Sequence, residues 1–363
     1  MNGQPDGALK FGAGRIIMKA GLLDELGDEL RLHGSKPYFV GGPTAMSIVR
    51  DRAAASMAKA GMEGVFSVHP GHVYREAAIL KAEEARAAGC DVVVAVGGGR
   101  AMDFGKLVGD LAGTRTVCLP TSIATCAAYS NYSLLYTSEG KILPGKYFFP
   151  HENAAVLVDM EVIANAPLRL AISGILDAMG KYVEIKNGFT ELPEAGCPMT
   201  LYAGYLLAKY SYEKLGQLAE QALADLRAHR VSQTLEDVTF LNIVVTGNIN
   251  GYARGYGQTA IAHDLYYKAR LLFHEETMPT LHGEIVGLGI LPQLYYNGEP
   301  EKVEPFRGLL RRLGAPTCLS EIGMDVTESN FRALYEKMAE SPRIGKDEAS
   351  QKRLWEALQL IKA

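Results

Sequence analysis

The stretch DVVVAVGGGRAMDFGKLVGDL, residues 91–111, limits what this chain can fold into. DVVVAV is a continuous apolar run with no polar alternation, the pattern of a strand buried on both faces. Three glycines follow at once, and then apolar residues at helical spacing. A strand covered on both faces needs helices above and below it, which predicts a parallel sheet with crossover helices. The neighbouring sequence repeats this grammar. KPYFVGG (36–42) and EGVFSVHPG (63–71) read as strands ending in glycine, and YREAAILKAEEARAAG (74–89) as a helix. TVCLPTS (116–122) reads as a strand halted by Pro120, YSLLYTSEGKI as the start of a hairpin, and NAAVLVDMEVI (153–163) as a last strand. After Pro167 the apolar spacing is helical and no strand is evident. The fold class is therefore α/β, with a parallel-sheet domain over 1–162 and an all-helical domain over 163–363. A chain of 363 residues has room for two such units.

Composition excludes several function classes. A net charge of −4 gives no basic excess for nucleic acid or an anionic membrane surface. No run of about 18 apolar residues is present, so no membrane span is expected. MNGQPDGALKFGAG has neither a basic segment nor an apolar core, so it does not read as a secretory leader. The five cysteines are scattered and odd in number, with no CxxC, which suits reduced thiols in the cytoplasm.

Two loops carry candidate ligand chemistry. Gly97, Gly98 and Gly99 lie between a buried strand and a helix, where small residues let a ligand approach the backbone and the helix start offers free N–H groups to a phosphate. The spelling is not GxGxxG, and a tight structural turn explains a bare GGG about as well. PTSIATCAAYSNYS (120–133) follows the next strand and is rich in small hydroxyl residues. In open α/β sheets, ligands sit beyond the carboxyl ends of strands, where both loops fall. In the second half, HDLYYKARLLFHEETMPTLHG (263–283) holds three of the eight histidines. A neutral imidazole is a common metal ligand, but the stretch alone does not say which of the three, if any, serves as one.

Taken together, GGGRAMDFGK, PTSIATCAAYSNYSLLYT, SGILDAMGKYVE, AIAHDLYY and LHGEIVGLG resemble, in order and spacing, the glycerol dehydrogenase branch of the iron-containing alcohol dehydrogenases. The resemblance spans nearly the whole chain. It implies a dehydroquinate synthase-like architecture, with an N-terminal nucleotide-binding α/β domain and a C-terminal helical metal-binding domain. It also implies NAD(P)(H), one divalent metal, a small-molecule substrate and a homo-oligomer. The pyrophosphate loop of the family matches Gly97, Gly98, Gly99, Arg100 and Ala101. Its second cofactor loop matches Thr121, Ser122, Ile123 and Ala124, with further contacts at Ser130, Tyr132 and Tyr136. Its metal ligands match Asp177, His263 and His282. His274, in the polar segment HEET, reads as a loop residue. One carboxylate and two imidazoles leave a coordination position open, as catalytic metal sites do, and suit zinc or, alternatively, Fe(II). No catalytic residue beyond the metal centre is identifiable.

Three departures shape the expected chemistry. Many glycerol dehydrogenases carry an Asp where this chain has Cys126, and a thiol cannot replace a carboxylate's acceptors for a polyol. TCAA instead resembles the hydroxycarboxylate dehydrogenases of the family, so Cys126 is a candidate substrate residue, with a packing role as the plainer reading. Gly42 stands where NAD-specific members have an acid that accepts from the ribose 2′-OH, so acceptance of NADP(H) is expected. Tyr266 replaces the second histidine of the family's HxxH and can pack or donate a hydrogen bond. Arg254 could clamp a carboxylate or lie at the surface. The implied reaction is hydride transfer between nicotinamide and a small hydroxy compound, chiefly a 2-hydroxy acid and its 2-oxo acid. A glycerol (1,2-diol) dehydrogenase is the alternative, and a 3-dehydroquinate synthase-like lyase a weaker one.

Overall fold

The computed structural model of the chain describes residues 9–69, 71–254 and 257–363. Six strands form one parallel sheet: β1 (Ile16–Lys19), β2 (Pro37–Gly41), β3 (Val65–Val68), β4 (Val92–Gly97), β5 (Arg115–Pro120) and β8 (Ala155–Asp159). Their order is β1-β8-β5-β4-β2-β3, and every pairing is parallel. A two-residue antiparallel pair, β6 (Tyr132–Ser133) and β7 (Tyr147–Phe148), forms the expected hairpin outside this sheet. β4 is buried along its whole length, as its unbroken apolar run requires.

Helices cover both faces. On one face α1 (Leu26–Leu30) and α2 (Pro43–Lys59) pack Leu26, Leu30, Met46, Val49, Ala53 and Met57 against Phe39, Val94 and Leu157. On the other, α3 (Arg75–Ala87) and α4 (Gly99–Ala112) bring Ala78, Ala82, Phe104 and Leu107 against Tyr38, Val40 and Val93. The chain passes from β2 to one neighbour, β3, and then to the other, β4. The carboxyl ends of β2 and β4 therefore flank a switch in strand order, the usual ligand position in such sheets.

Two sequence expectations change. The short half-buried strand β1, IIMK, lies outside the expected set and pairs along the edge with β8. NAAVLVDMEVI is not one strand. Asp159 ends β8 and its side chain accepts from Glu161 N, starting α5 (Met160–Ala164).

From Leu168 onward the described residues form helices and no strand: α6 (Leu168–Lys186), α7 (Met199–Arg227), α8 (Gln233–Phe240), α9 (Thr246–Tyr252), α10 (Ile261–Leu272), α11 (His274–Thr277), α12 (His282–Tyr296), α13 (Val303–Leu313), α14 (Glu328–Ala339) and α15 (Glu348–Gln359). HEET is a four-residue helix, not the expected loop. None of the helices is long and apolar enough to cross a membrane. One π-helical turn, Leu241–Val245, joins α8 to α9.

The chain packs as two compact units, Met1–Leu168 with Ala224–Arg254, and Arg169–Leu223 with Gly255–Ala363. A cut at 162/163 differs from this division in one main respect. Residues 224–254, helical in pattern, belong with the sheet. Their partners there are specific: Asn242 Nδ2 donates to Ile123 O, Tyr129 Oη to Asn248, and Phe11 stacks edge-on against Tyr252.

Candidate metal centre and cofactor loops

In the helical unit, α6 is buried from Ala171 to Lys186 although it carries four charged side chains in that span. Asp177, Lys181 and Glu184 follow at intervals of four and three residues, so they share one face. A buried charge is costly unless paired, so this face needs partners. They come from α10 and α12. His263 Nε2 lies 3.2 Å and His282 Nε2 3.5 Å from Asp177 Oδ1. One donor atom from each of the three residues lies within 4.8 Å of the others, which brings together the ligand set expected from the sequence.

Local packing explains the closeness. His282 opens α12, and the next residue is Gly283, whose added Cβ would sit 1.8 Å from the Ser173 carbonyl oxygen. Only a glycine lets α12 cross α6 there. Gly289 does the same against Ala262, where a Cβ would approach Cα to 2.6 Å. Glu284 accepts from Leu281 N and pairs with Arg169. The HGE triplet thus supplies a donor, a crossing and a cap.

Glu184 is the main residue that the sequence reading lacks. Its Oε1 accepts from the N–H groups of Ala260 (2.7 Å) and His263 (2.8 Å), which caps α10, and its Oε2 accepts from Nδ1 of His263. With Nδ1 donating, Nε2 presents a lone pair toward Asp177, the carboxylate–histidine arrangement typical of metal sites. Its position seven residues after Asp177 in a buried helix is a signal that periodicity could find. Lys181 lies on the same face, with Nζ 2.8 Å from Asp177 Oδ1 and 2.8 Å from His263 Nε2. Burial pushes the Asp177 carboxyl up, but Lys181, His263 and His282 outweigh it and hold the group well below the usual carboxylate range. Burial lowers His282, which favours the neutral imidazole. The donor set fits a divalent cation. It has one oxygen and two nitrogens, and a positive group already rests on two of them. Tyr266 packs edge-on against His282, ring centroids 4.3 Å apart, and the Arg270 guanidinium lies over the Tyr266 ring. His274 is outside the cluster.

In the sheet unit, Gly97 has φ 137°, and an added Cβ would meet Ala101 and Ala45, so the loop after β4 passes close to the start of α2. Gly98 is the N-cap of α4, and no side chain makes a capping hydrogen bond there. Arg100 is exposed in the first turn, and Ala101 is half-buried. Thr121 N donates to Gly97 O, while Gly98 and Gly99 lie against Ser122 and Thr125. The two expected cofactor loops therefore run side by side, with Ala124 half-buried beyond them. Ser130 belongs to a buried polar cluster. Asn250 Nδ2 donates to Cys126 Sγ (3.0 Å) and Ser130 Oγ (3.1 Å), and Cys126 is 6% exposed. Tyr132 and Tyr136 lie on the hairpin, against Phe148 and His72.

Lys106 fixes this loop, and the sequence reading does not identify it. Its buried Nζ donates to the carbonyls of Ala127, Ser130 and Tyr132 and pairs with Asp103 at 3.2 Å. At Asp103 burial wins over Lys106 and raises the carboxyl. Gly42 caps α2 with extended backbone, and a Cβ there would meet nothing within 4 Å. Arg254 is exposed with φ 51° after α9.

Comparison with known proteins follows these features. Residues 13–159 match the family model described as iron-containing alcohol dehydrogenase. A glycerol dehydrogenase of Thermotoga maritima is 32% identical over 251 residues, covering 68% of this chain and 67% of that protein. Hydroxycarboxylate dehydrogenase A of Escherichia coli is 32% identical over 235 residues, covering 65% of this chain and 64% of its own length. The fold matches the crystal structure of glycerol dehydrogenase from Schizosaccharomyces pombe with TM-score 0.81 at 21% identity, covering 99% of this chain and 91% of that one.

Proposed function

This chain belongs to the iron-containing alcohol dehydrogenase family, and on that premise we propose that it moves a hydride between NAD(P)(H) and a 2-hydroxy acid or its 2-oxo acid. It is an oxidoreductase of the alcohol dehydrogenase type. The observation that carries the substrate class is the neutral cluster of Cys126, Ser130 and Asn250. It offers no carboxylate to grip a polyol and no negative charge to repel a carboxylate substrate. The similarity to a hydroxycarboxylate dehydrogenase points the same way. The similarity to a glycerol dehydrogenase favours a second reading, a 1,2-diol substrate.

Asp177, His263 and His282 would hold the divalent ion, zinc or alternatively Fe(II). When bound, such an ion supplies Lewis acidity toward a substrate oxygen, and the nicotinamide gives or takes the hydride. The chain's own groups set this up. Glu184 accepts from Nδ1 of His263 and leaves Nε2 facing Asp177. Asp177 keeps its negative charge. Gly97 to Ala101 offer free N–H groups at the start of α4 to a pyrophosphate, and Thr121, Ser122, Ala124, Ser130, Tyr132 and Tyr136 form the second cofactor wall. Gly42 leaves room, and no negative charge, for a ribose 2′-phosphate.

The test follows nicotinamide absorbance with purified protein, Zn2+ or anaerobic Fe2+, NADPH and NADH, against 2-oxo acids and dihydroxyacetone. Oxidation with 2-oxo acids is expected. Turnover of dihydroxyacetone alone replaces this reading with the diol reading. Strict NADH dependence removes the role given to Gly42. No net oxidation with any substrate favours lyase chemistry instead.

A further inference from the structure

Lys181 has been given no role toward the metal itself, yet it is one of the least expected groups in the molecule. Its side chain is 5% exposed, and lysine is rarely this buried unless paired. Its ammonium bridges Asp177 Oδ1 and His263 Nε2 at 2.8 Å each. The His263 nitrogen it meets is the acceptor, because an ammonium can only donate, and the other nitrogen donates its N–H to Glu184. The ammonium therefore rests on two of the three atoms that would bind a divalent ion.

We propose that Lys181 is a resident cation of this centre, which holds the donor set together without metal and competes with the divalent ion for Asp177 and His263. The inference rests on the metal-centre reading. Its physical basis is charge. Without a cation, the Asp177 carboxylate would be buried beside two imidazoles and the carboxylate of Glu184, an arrangement that drives donors apart or protonates them. The ammonium satisfies both lone pairs at hydrogen-bonding distance. A divalent ion needs the same lone pairs at about 2.0–2.2 Å, so the ammonium must give them up when the ion arrives. It then stays in a buried site next to a like charge of twice its size. Both effects weaken metal binding relative to the same three ligands without Lys181. The centre should exchange its metal readily and stay folded when empty.

The test strips the protein with a chelator and titrates it with Zn2+ in competition with a chromophoric chelator. Wild type, Lys181→Met and Lys181→Gln are compared, with Asp177→Asn as the control that loses zinc. Thermal unfolding of each is recorded with and without Zn2+. In both Lys181 variants the zinc dissociation constant should fall by about tenfold or more. Their melting temperatures should drop without zinc and recover with it, so that zinc raises them more than it raises wild type. Equal or weaker zinc binding by both variants, with unchanged far-UV circular dichroism, overturns the inference and leaves the metal centre standing. Zinc binding by none of the proteins, wild type included, overturns both. Should the variants fold only when Zn2+ is present during refolding, the placeholder role stands; failure to fold with Zn2+ as well overturns it.

Discussion

Two helices each bury an aspartate and a lysine about one turn apart, and the pairs differ in what the ammonium touches. On α4, Lys106 turns its three donors to the carbonyls of Ala127, Ser130 and Tyr132, with Asp103 alongside as an ion pair at 3.2 Å. On α6, Lys181 pairs with Asp177 and turns to Nε2 of His263, in the group that could hold a metal ion. The acids respond oppositely. Burial raises Asp103, whereas Lys181 and two histidines hold Asp177 low. Backbone carbonyls suit hard cations such as Ca2+ and are weak ligands for zinc or iron beside carboxylate and imidazole, so the α4 pair is a fixed brace toward those metals. The α6 pair sits on atoms that another cation can claim. The function of a buried lysine is thus read from its acceptors rather than from its burial.

The comparison can be broken at either end. The largest effect is expected from His282→Ala, which removes one proposed metal ligand at the half-buried start of α12. Activity should fall by about a thousandfold or more with secondary structure intact, and near-full activity in chelator would refute the metal assignment. Lys106→Met should destabilise the protein by about 3–5 kcal/mol, since it leaves Asp103 buried and unpaired. That loss should be the same with and without Zn2+, in contrast to Lys181→Met, and chemical denaturation reads both. A zinc-dependent loss at Lys106 would erase the distinction. Cys126→Asp introduces a charge into the neutral cluster. It should lower kcat/KM for 2-oxo acids by about ten- to a hundredfold while that for dihydroxyacetone holds or rises; a parallel fall for both would mean that Cys126 only packs. The smallest effect is expected at Gly42→Asp, where backbone and space both accept the side chain. The NADPH-to-NADH preference should move toward NADH by about tenfold.

Much of this was legible in the sequence, for reasons that also explain the gaps. The parallel sheet follows from VVVAV, because only a strand buried on both faces is uniformly apolar. The crossing at Gly283 is written in HGE, and the donor set in the spacing of the family motifs. Lys106, Lys181 and Glu184 were less visible, since a charged residue in a helix usually faces water and the periodicity alone does not say which face is covered. Asn250 was hidden for another reason. Its partners Cys126 and Ser130 lie more than a hundred residues away, and a helical pattern gave no sign that 224–254 joins the sheet. At Asp159 the signal was present, as an N-cap residue inside an apolar run.

The chain leaves the sheet unit after Leu168, returns at Ala224 and leaves again after Arg254. On the ribosome, the sheet strands therefore emerge long before Asn242, Asn248 and Asn250, which complete the contacts of Ile123, Tyr129, Cys126 and Ser130. A nascent chain of 168 residues has all its strands but lacks the partners of the loop after β5. These contacts form only after residue 250 is made, and a fragment cut at the 162/163 boundary would carry the strands without the asparagines that hold the loop after β5.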